Sequence, residues 1–308
     1  MNKRQKQVQQ SLLKDELAVI EALEESYQQA ISDIDDVILR LLARKDTENL
    51  QAIIYQVKYQ KALKKELEAL LKELQDNNYQ TIDEYLQGCY KNAHIGTLFD
   101  LQGQGVPLIL PLDQEQMISA LTLNSKISAP LYNYLGFNIE YLKTDIMREI
   151  SRGIAQSLSY QEIARNLENT TNVDFNKSLR IAKTEGHRIQ SEATFNVQKR
   201  AKEKGAEIVK QWDATLDKRT RDSHVKVDGE IRELDKPFSN GLMYPGDPNG
   251  GASEVVNCRC ALLQRAKWAL SDEEFTKMNG ETNDLEHFES VDDYNKFKDI
   301  FYKRKGVK

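Results

Sequence analysis

Apolar residues recur along the first part of the chain at steps of three and four, the period of an amphipathic helix. Leu13, Leu17, Ile20, Leu23 and Tyr27 form one run, continued by Ile31, Ile34, Ile38 and Leu41. A second run holds Ile54, Val57, Leu63, Leu67, Leu70, Leu71 and Leu74. The first 80 residues contain neither glycine nor proline, so nothing there breaks a helix. Between the runs, Lys45-Asp46-Thr47-Glu48 predicts a turn, because Asp46 or Thr47 can cap a second helix. The expected element is a long N-terminal helical hairpin. Its apolar stripe needs a partner, either the rest of the chain or another protein.

From Gly88 to Pro130 the texture changes, and a hinge is expected in this region. Gly103–Asp113, GQGVPLILPLD, reads as a loop or short strand because glycine and proline punctuate it. Helix is expected again from Ile139 to Leu158, with Ser159-Tyr160-Gln161-Glu162 resembling a capping box. From Asp174 to Lys204 one face carries Phe175, Leu179, Ala182, Ile189, Ala193, Val197 and Ala201, and Gly205 stands where a left-handed cap belongs. Gly186, on that face, would let another backbone approach closely. Ala206–Asp217 reads as a strand with Ile208 and Trp212 as buried anchors. Asp228-Gly229 carries the signature of a tight hairpin. Pro237–Gly251 holds three of the six prolines and four glycines, which predicts a surface loop.

The fold class expected is mainly α with a small α+β C-terminal domain containing short antiparallel strands. The division expected is a helical hairpin over 1–87, a linker and helical middle region over 88–150, an α+β domain over 151–265, and an acidic helical tail with a basic end over 266–308.

Composition narrows the classes. Forty per cent of the residues are hydrophobic and 30% charged, which suits a helix-rich folded chain. No apolar run approaches the ~20 residues of a membrane span, and no signal peptide is expected. Three cysteines, Cys89, Cys258 and Cys260, do not make a disulfide scaffold and suggest synthesis in a reducing cytoplasm. The net charge of −5 argues against a nucleic-acid binder as a whole. Its distribution is uneven, with fourteen Lys/Arg against nine Asp/Glu from Phe175 to Arg232, and ten acids against three bases from Ser271 to Ile300. The basic stretch permits non-specific contact with double-stranded DNA, although solvated helix faces are the preferred account of it.

Two groups of residues carry candidate chemistry. Cys258 and Cys260 stand two apart, so in an extended strand both point to one face, where they suit a shared soft metal better than a mutual disulfide. His224 could supply a third ligand, and Asp217, Asp222 or Asp228 a fourth. Alternatively the cysteines are small buried apolar groups and His224 bonds the loop backbone. The set Asp217, Arg219, Thr220, His224 and Asp228, with Glu185 and Arg188, could form a general-base cleft. The structural reading is preferred: Asp217 caps a turn, an arginine pairs a buried carboxylate, and Asp228-Gly229 reverses the chain. Glu185 and Arg188, if buried, would clamp the long helix to the segment after Asp217. The chain has no Walker loop, HExxH, GxSxG or dinucleotide fingerprint, so no enzymatic activity is expected. His94, His187 and His287 show no ligand spacing and receive no role.

Thr184, Glu185 and Arg188, followed in order by Gly205, Trp212, DKRTRDSH (Asp217–His224), Asp228-Gly229, the YPGDP loop and Asn257-Cys258-Arg259-Cys260, resemble the head-morphogenesis domain of phage Mu F-type minor head proteins. The resemblance covers roughly residues 150–265. It implies a minor head protein of a tailed phage, inside the capsid of the virion, acting with the portal in procapsid assembly. It also implies scaffold or major capsid protein as further partners and a role in DNA packaging or ejection. Many members look zinc-finger-like here, with cysteines where this chain has Arg221 and His224 and a histidine where it has Val255. The alternative function is a metal-dependent enzyme or toxin-like transferase built around His224, Cys258 and Cys260.

Overall fold

The computed structural model describes residues 1–42, 57–121 and 160–269, together with 141–142, 144–146, 148–149 and 152. The turn expected at Lys45–Glu48, the tail from Ser271 and His287 lie outside these residues. Three long helices dominate: α1 (Lys3–Leu42), α2 (Val57–Gly103) and α4 (Tyr160–Glu203), with α3 (Gln114–Leu121) between the last two. After α4 come β1 (Ile208–Asp213), α5 (Asp222–Lys226), β2 (Ile231–Arg232), α6 (Ala252–Val255) and β3 (Ala261–Ala266). The fold is mainly α-helical, with long N-terminal helices and a small C-terminal sheet. No described helix is long and apolar enough to cross a membrane.

The chain divides into two compact units. The described residues of one fall at 18–42, 57–83 and 160–181, with the helical residues of 141–152. Its core is one stripe from each helix: Tyr27, Ala30, Ile34 and Val37 of α1, Leu67, Leu71 and Leu74 of α2, and Leu167 of α4, joined by Leu142 and Ile146. Their spacing of three and four is the reason these segments are helices that bury one side. Tyr27 packs edge-on against Phe175 at 5.6 Å and shares a 2.8 Å hydrogen bond with Ser178, so its buried hydroxyl is satisfied.

The other unit comprises described residues 1–17, 84–121 and 182–269. Asn2 and Gln5 cap α1 reciprocally, each side chain accepting from the other's backbone N–H at 2.9 Å. Val8 and Leu12 then meet Ile95 and Phe99 of α2. The sequence pattern places Leu13 and Leu17 on this stripe, but they are 46% and 51% exposed. Leu12 and Leu13 are adjacent, and closeness to α2 selects Leu12. A Cβ on Gly96 would lie 2.4 Å from Val8 Cγ1, so the glycine is what permits that approach.

No break falls at Gly88: α2 runs unbroken to Gly103. The helix ends only where Gly105 takes a φ of 79°. Asp100, near that end, is a buried carboxylate. It accepts from Asn2 Nδ2 (2.7 Å), Gln5 Nε2 (2.9 Å), Gln104 Nε2 (2.7 Å) and Gln264 Nε2, tying α1, α2 and β3 together. Burial raises its pKa, and the four amides oppose that rise.

The sheet has the order β2-β1-β3 and is antiparallel throughout. Ile208 pairs with Ala266 and Asp213 with Ala261, so β1 and β3 match along their whole length. β1 leaves α4 through Gly205, whose φ of 89° is the expected left-handed cap. Asp228-Gly229 does not make a tight hairpin. Between β1 and β2 lies α5, and Gly229 (φ 77°) turns the chain out of that helix so that its N–H reaches the Trp212 carbonyl at 2.9 Å.

Gly186 faces a side chain rather than a backbone. A Cβ there would sit 2.5–2.8 Å from Tyr85 Oη, Cε1 and Cζ, all on a buried ring. Gly186→Ala gains about 1 kcal/mol of helix propensity, but overpacking against a rigid ring costs about 1–3 kcal/mol. A net loss of stability is expected in urea unfolding; an unchanged or higher midpoint would show that Tyr85 moves aside freely.

Candidate metal centre

Trp212 on β1, fully buried, is the wall on which the site is built. His224, from α5, stands edge-on to its ring at 5.1 Å, and Phe238 does the same at 5.2 Å. The segment entering β3 brings Cys258 and Cys260 to the imidazole, with Sγ atoms 3.6 and 3.3 Å from Nδ1. His224, Cys258 and Cys260 are 1%, 4% and 2% exposed, and their ligand atoms all lie within 4.8 Å of one another.

Two soft thiols and one imidazole are a donor set for zinc. A tetrahedral centre with Zn–N of about 2.0–2.1 Å and Zn–S of about 2.3 Å spaces N and S roughly 3.5 Å apart, close to the distances found here. Thiol–thiol hydrogen bonding holds Cys258 below the ordinary thiol range, while the same contact and burial push Cys260 up. His224 Nε2, on the other edge of the ring, is buried and forms no aligned hydrogen bond, although Glu254 Oε2 lies 3.0 Å away. The residues present therefore fit a zinc ion. The two ligand positions lost relative to the resembled family have other uses: Val255 is buried and Arg221 donates to the Val256 carbonyl.

Around this centre the polar motif works as a frame. Asp217 accepts from the Arg219 N–H (2.8 Å) and Thr220 Oγ1 (3.2 Å), closing the turn, and takes both guanidinium nitrogens of Arg259. Arg259, the residue between the cysteines, makes the bidentate pair, while the exposed Arg219 guanidinium stands 3.8 Å from the same carboxylate. That pair holds the Asp217 carboxyl far below the usual carboxylate range. Asp228 Oδ1 accepts from the Ala214 N–H at 2.9 Å. Asn257 takes a φ of 54°, and its N–H donates to Thr184 Oγ1 at 3.2 Å.

Glu185 and Arg188 form a buried pair at 2.9 Å. Arg188 also reaches Glu192 at 2.7 Å and the Ala120 carbonyl at 2.7 Å, so it clamps α4 to the end of α3.

Three participants carry no spacing signal in the sequence. His187 bonds the Cys260 carbonyl through Nε2, and burial lowers its pKa. Lys210 is buried on β1, donates to the Met243 carbonyl at 2.8 Å, and is brought down to about 8 by burial. Glu254 meets His224 only because α6 precedes the cysteines by one turn of chain.

With this geometry established, comparison with known proteins gives two families of likeness. Residues 144–263 match the family described as "Phage Mu protein F like protein", so the chain carries a domain related to that phage family. The chain is 30% identical over 236 residues to the "NAD(+)--arginine ADP-ribosyltransferase EFV" of Enterococcus faecalis, covering 74% of this chain and 47% of that protein. It is 32% identical over 132 residues to the "Minor head protein GP7" of Bacillus phage SPP1, covering 41% of this chain and 42% of the relative. The chain thus spans less than half the length of either curated relative. No solved structure matches.

The likeness to a transferase overturns the expectation of a protein without enzymatic activity. The matches support a phage-related protein, while the capsid-internal minor-head terms conflict with the longer likeness to the transferase.

Two outcomes are expected. Elemental analysis should find one zinc per chain, reduced in Cys258→Ser and in His224→Ala, with chelation lowering the melting temperature; a metal-free chain indifferent to chelator would refute the site. For Asp217, a depressed carboxyl contributes stability that is complete above its unfolded pKa of about 3.9 and fades as pH falls below that. The stability difference between wild type and Asp217→Asn in urea melts should therefore be constant above about pH 5 and shrink below about pH 4. A pH-independent difference would contradict the Arg259 pair as its source.

Proposed function

We propose that this chain is a metal-organised module of a toxin-type transferase in a phage-related lineage, with zinc held by His224, Cys258 and Cys260. The observation that carries this reading is the identity running through 236 residues of an arginine ADP-ribosyltransferase. Zinc supplies a cross-link here, because its three protein ligands are buried. It ties α5 to the strand β3, and the Asp217–Arg259 pair and the Thr184–Asn257 bond fix the same strand entrance from either side.

In arginine ADP-ribosylation the bond between ribose C1′ and the nicotinamide nitrogen of NAD breaks, and nicotinamide leaves with the bonding pair. A guanidino nitrogen bonds to C1′ and gives up a proton. The zinc-loaded chain, incubated with NAD labelled in its adenylate and with agmatine as acceptor, is expected to form labelled agmatine and release one nicotinamide per transfer. Cys258→Ser should lower the rate at least tenfold. No transfer above the blank by a folded, zinc-loaded chain would overturn the reading.

A second reading rests on the match of residues 144–263 to the phage family and on the relative from phage SPP1. Here the chain binds a portal protein, with scaffold or major capsid protein and non-specific double-stranded DNA as further partners. It requires a portal complex that survives moderate salt in size-exclusion chromatography, whereas contact with DNA phosphates would weaken steeply with salt.

A further inference from the structure

His224 is gripped on both edges by one short segment. Cys258 and Cys260 face Nδ1, and Glu254, from the helix just before them, faces Nε2 at 3.0 Å. Glu254 is itself held, because Ser223, the neighbour of His224 on α5, donates its Oγ–H to Glu254 Oε2 at 2.8 Å. An imidazole that ligates a metal through one nitrogen carries its proton on the other, and a carboxylate acceptor there fixes both tautomer and ring orientation. Nε2 is buried and has no aligned partner, so it is the atom that such a carboxylate would satisfy.

From this arrangement we propose that Glu254, steadied by Ser223, is the positioning residue of the metal centre: it keeps the proton of His224 on Nε2 and so presents Nδ1 to zinc beside the two thiolates. The inference rests on the zinc reading of the triad. Removing a carboxylate of this kind lowers metal affinity by about 10–100-fold in comparable sites. Glu254 is partly exposed and lies outside the apolar core, so its substitution leaves the fold standing. Val255 beside it is the buried member of α6.

The test uses the full chain, with cobalt(II) as a spectroscopic stand-in and zinc measured by chelator competition. Wild type is expected to show intense thiolate-to-cobalt charge transfer and to hold zinc tightly. Glu254→Ala should bind zinc 10–100-fold more weakly with an altered cobalt d–d spectrum, and Glu254→Gln, whose amide oxygen can still accept from Nε2–H, should recover part of the loss. Ser223→Ala should fall between wild type and Glu254→Ala. Nitrogen-15 spectra of the zinc form should show a slowly exchanging Nε2–H on His224 that Glu254→Ala abolishes. If wild type binds neither metal, the zinc reading itself fails and this inference with it. If wild type binds and Glu254→Ala matches it in affinity, spectrum and Nε2–H exchange, the positioning role alone is refuted.

Discussion

The part of the chain between β1 and β3 has almost no regular secondary structure of its own. Beyond a two-residue strand and two helices of five and four residues, its buried N–H and C=O groups have no ladder to join. An unsatisfied backbone group in such a position costs about 1–3 kcal/mol, so side chains must take over the work of secondary structure. They join the backbone turn bonds, such as Phe238 N–H to the Leu242 carbonyl and Gly250 N–H to the Asp247 carbonyl, at several bends. Asp228 accepts from Ala214, Asp217 from Arg219, Asp247 from both Met243 and Asn249, and Glu230 from Ser239. Thr215 donates to the Arg259 carbonyl and Thr184 accepts from Asn257. The acidic and threonine residues of this region are therefore the fold itself.

This constraint explains what could and could not be read in the sequence. Periodicity located the helices because a helix needs only its own neighbours, and the buried positions Ile34, Leu67, Leu71 and Leu74 follow from spacing alone. It failed by one residue at Leu12 and Leu13, where two adjacent leucines satisfy the same period and only the packing against Ile95 and Phe99 decides. The change of texture from Gly88 onward does not interrupt α2, which runs to Gly103. Gly96 is tolerated there because Val8 occupies the space its missing side chain leaves. Asp228-Gly229 correctly marked a left-handed turn but not what the turn connects, since a local dihedral preference says nothing about the helix inserted before it.

At the candidate site the same limit applies more strongly. Cys258 and Cys260 announce a shared face by their spacing, and His224 joins them only through a long-range closure that no local pattern encodes. Glu254, His187 and Lys210 could not have been found from spacing, because each meets its partner across the fold. Motif order likewise carries the domain type and leaves activity open, as folds host unrelated functions. The ordered set from Thr184 to Cys260 lies wholly within the match to the phage family, and the likeness to a transferase runs over a longer stretch.

The energetics of the triad favour an occupant over an apolar core. Cysteine thiols bury readily as small hydrophobes, so Cys258 and Cys260 alone would need no ligand. An imidazole is different: it has two polar nitrogens, and here both are shut from water with only weak sulfur acceptors on one side. A carboxylate stands 3.0 Å from the far nitrogen without an aligned hydrogen bond. A divalent cation bound at Nδ1 changes each of these terms together. Bound there, it would hold the thiol pair as thiolates, leave the imidazole proton on Nε2, and set a positive centre across the ring from Glu254.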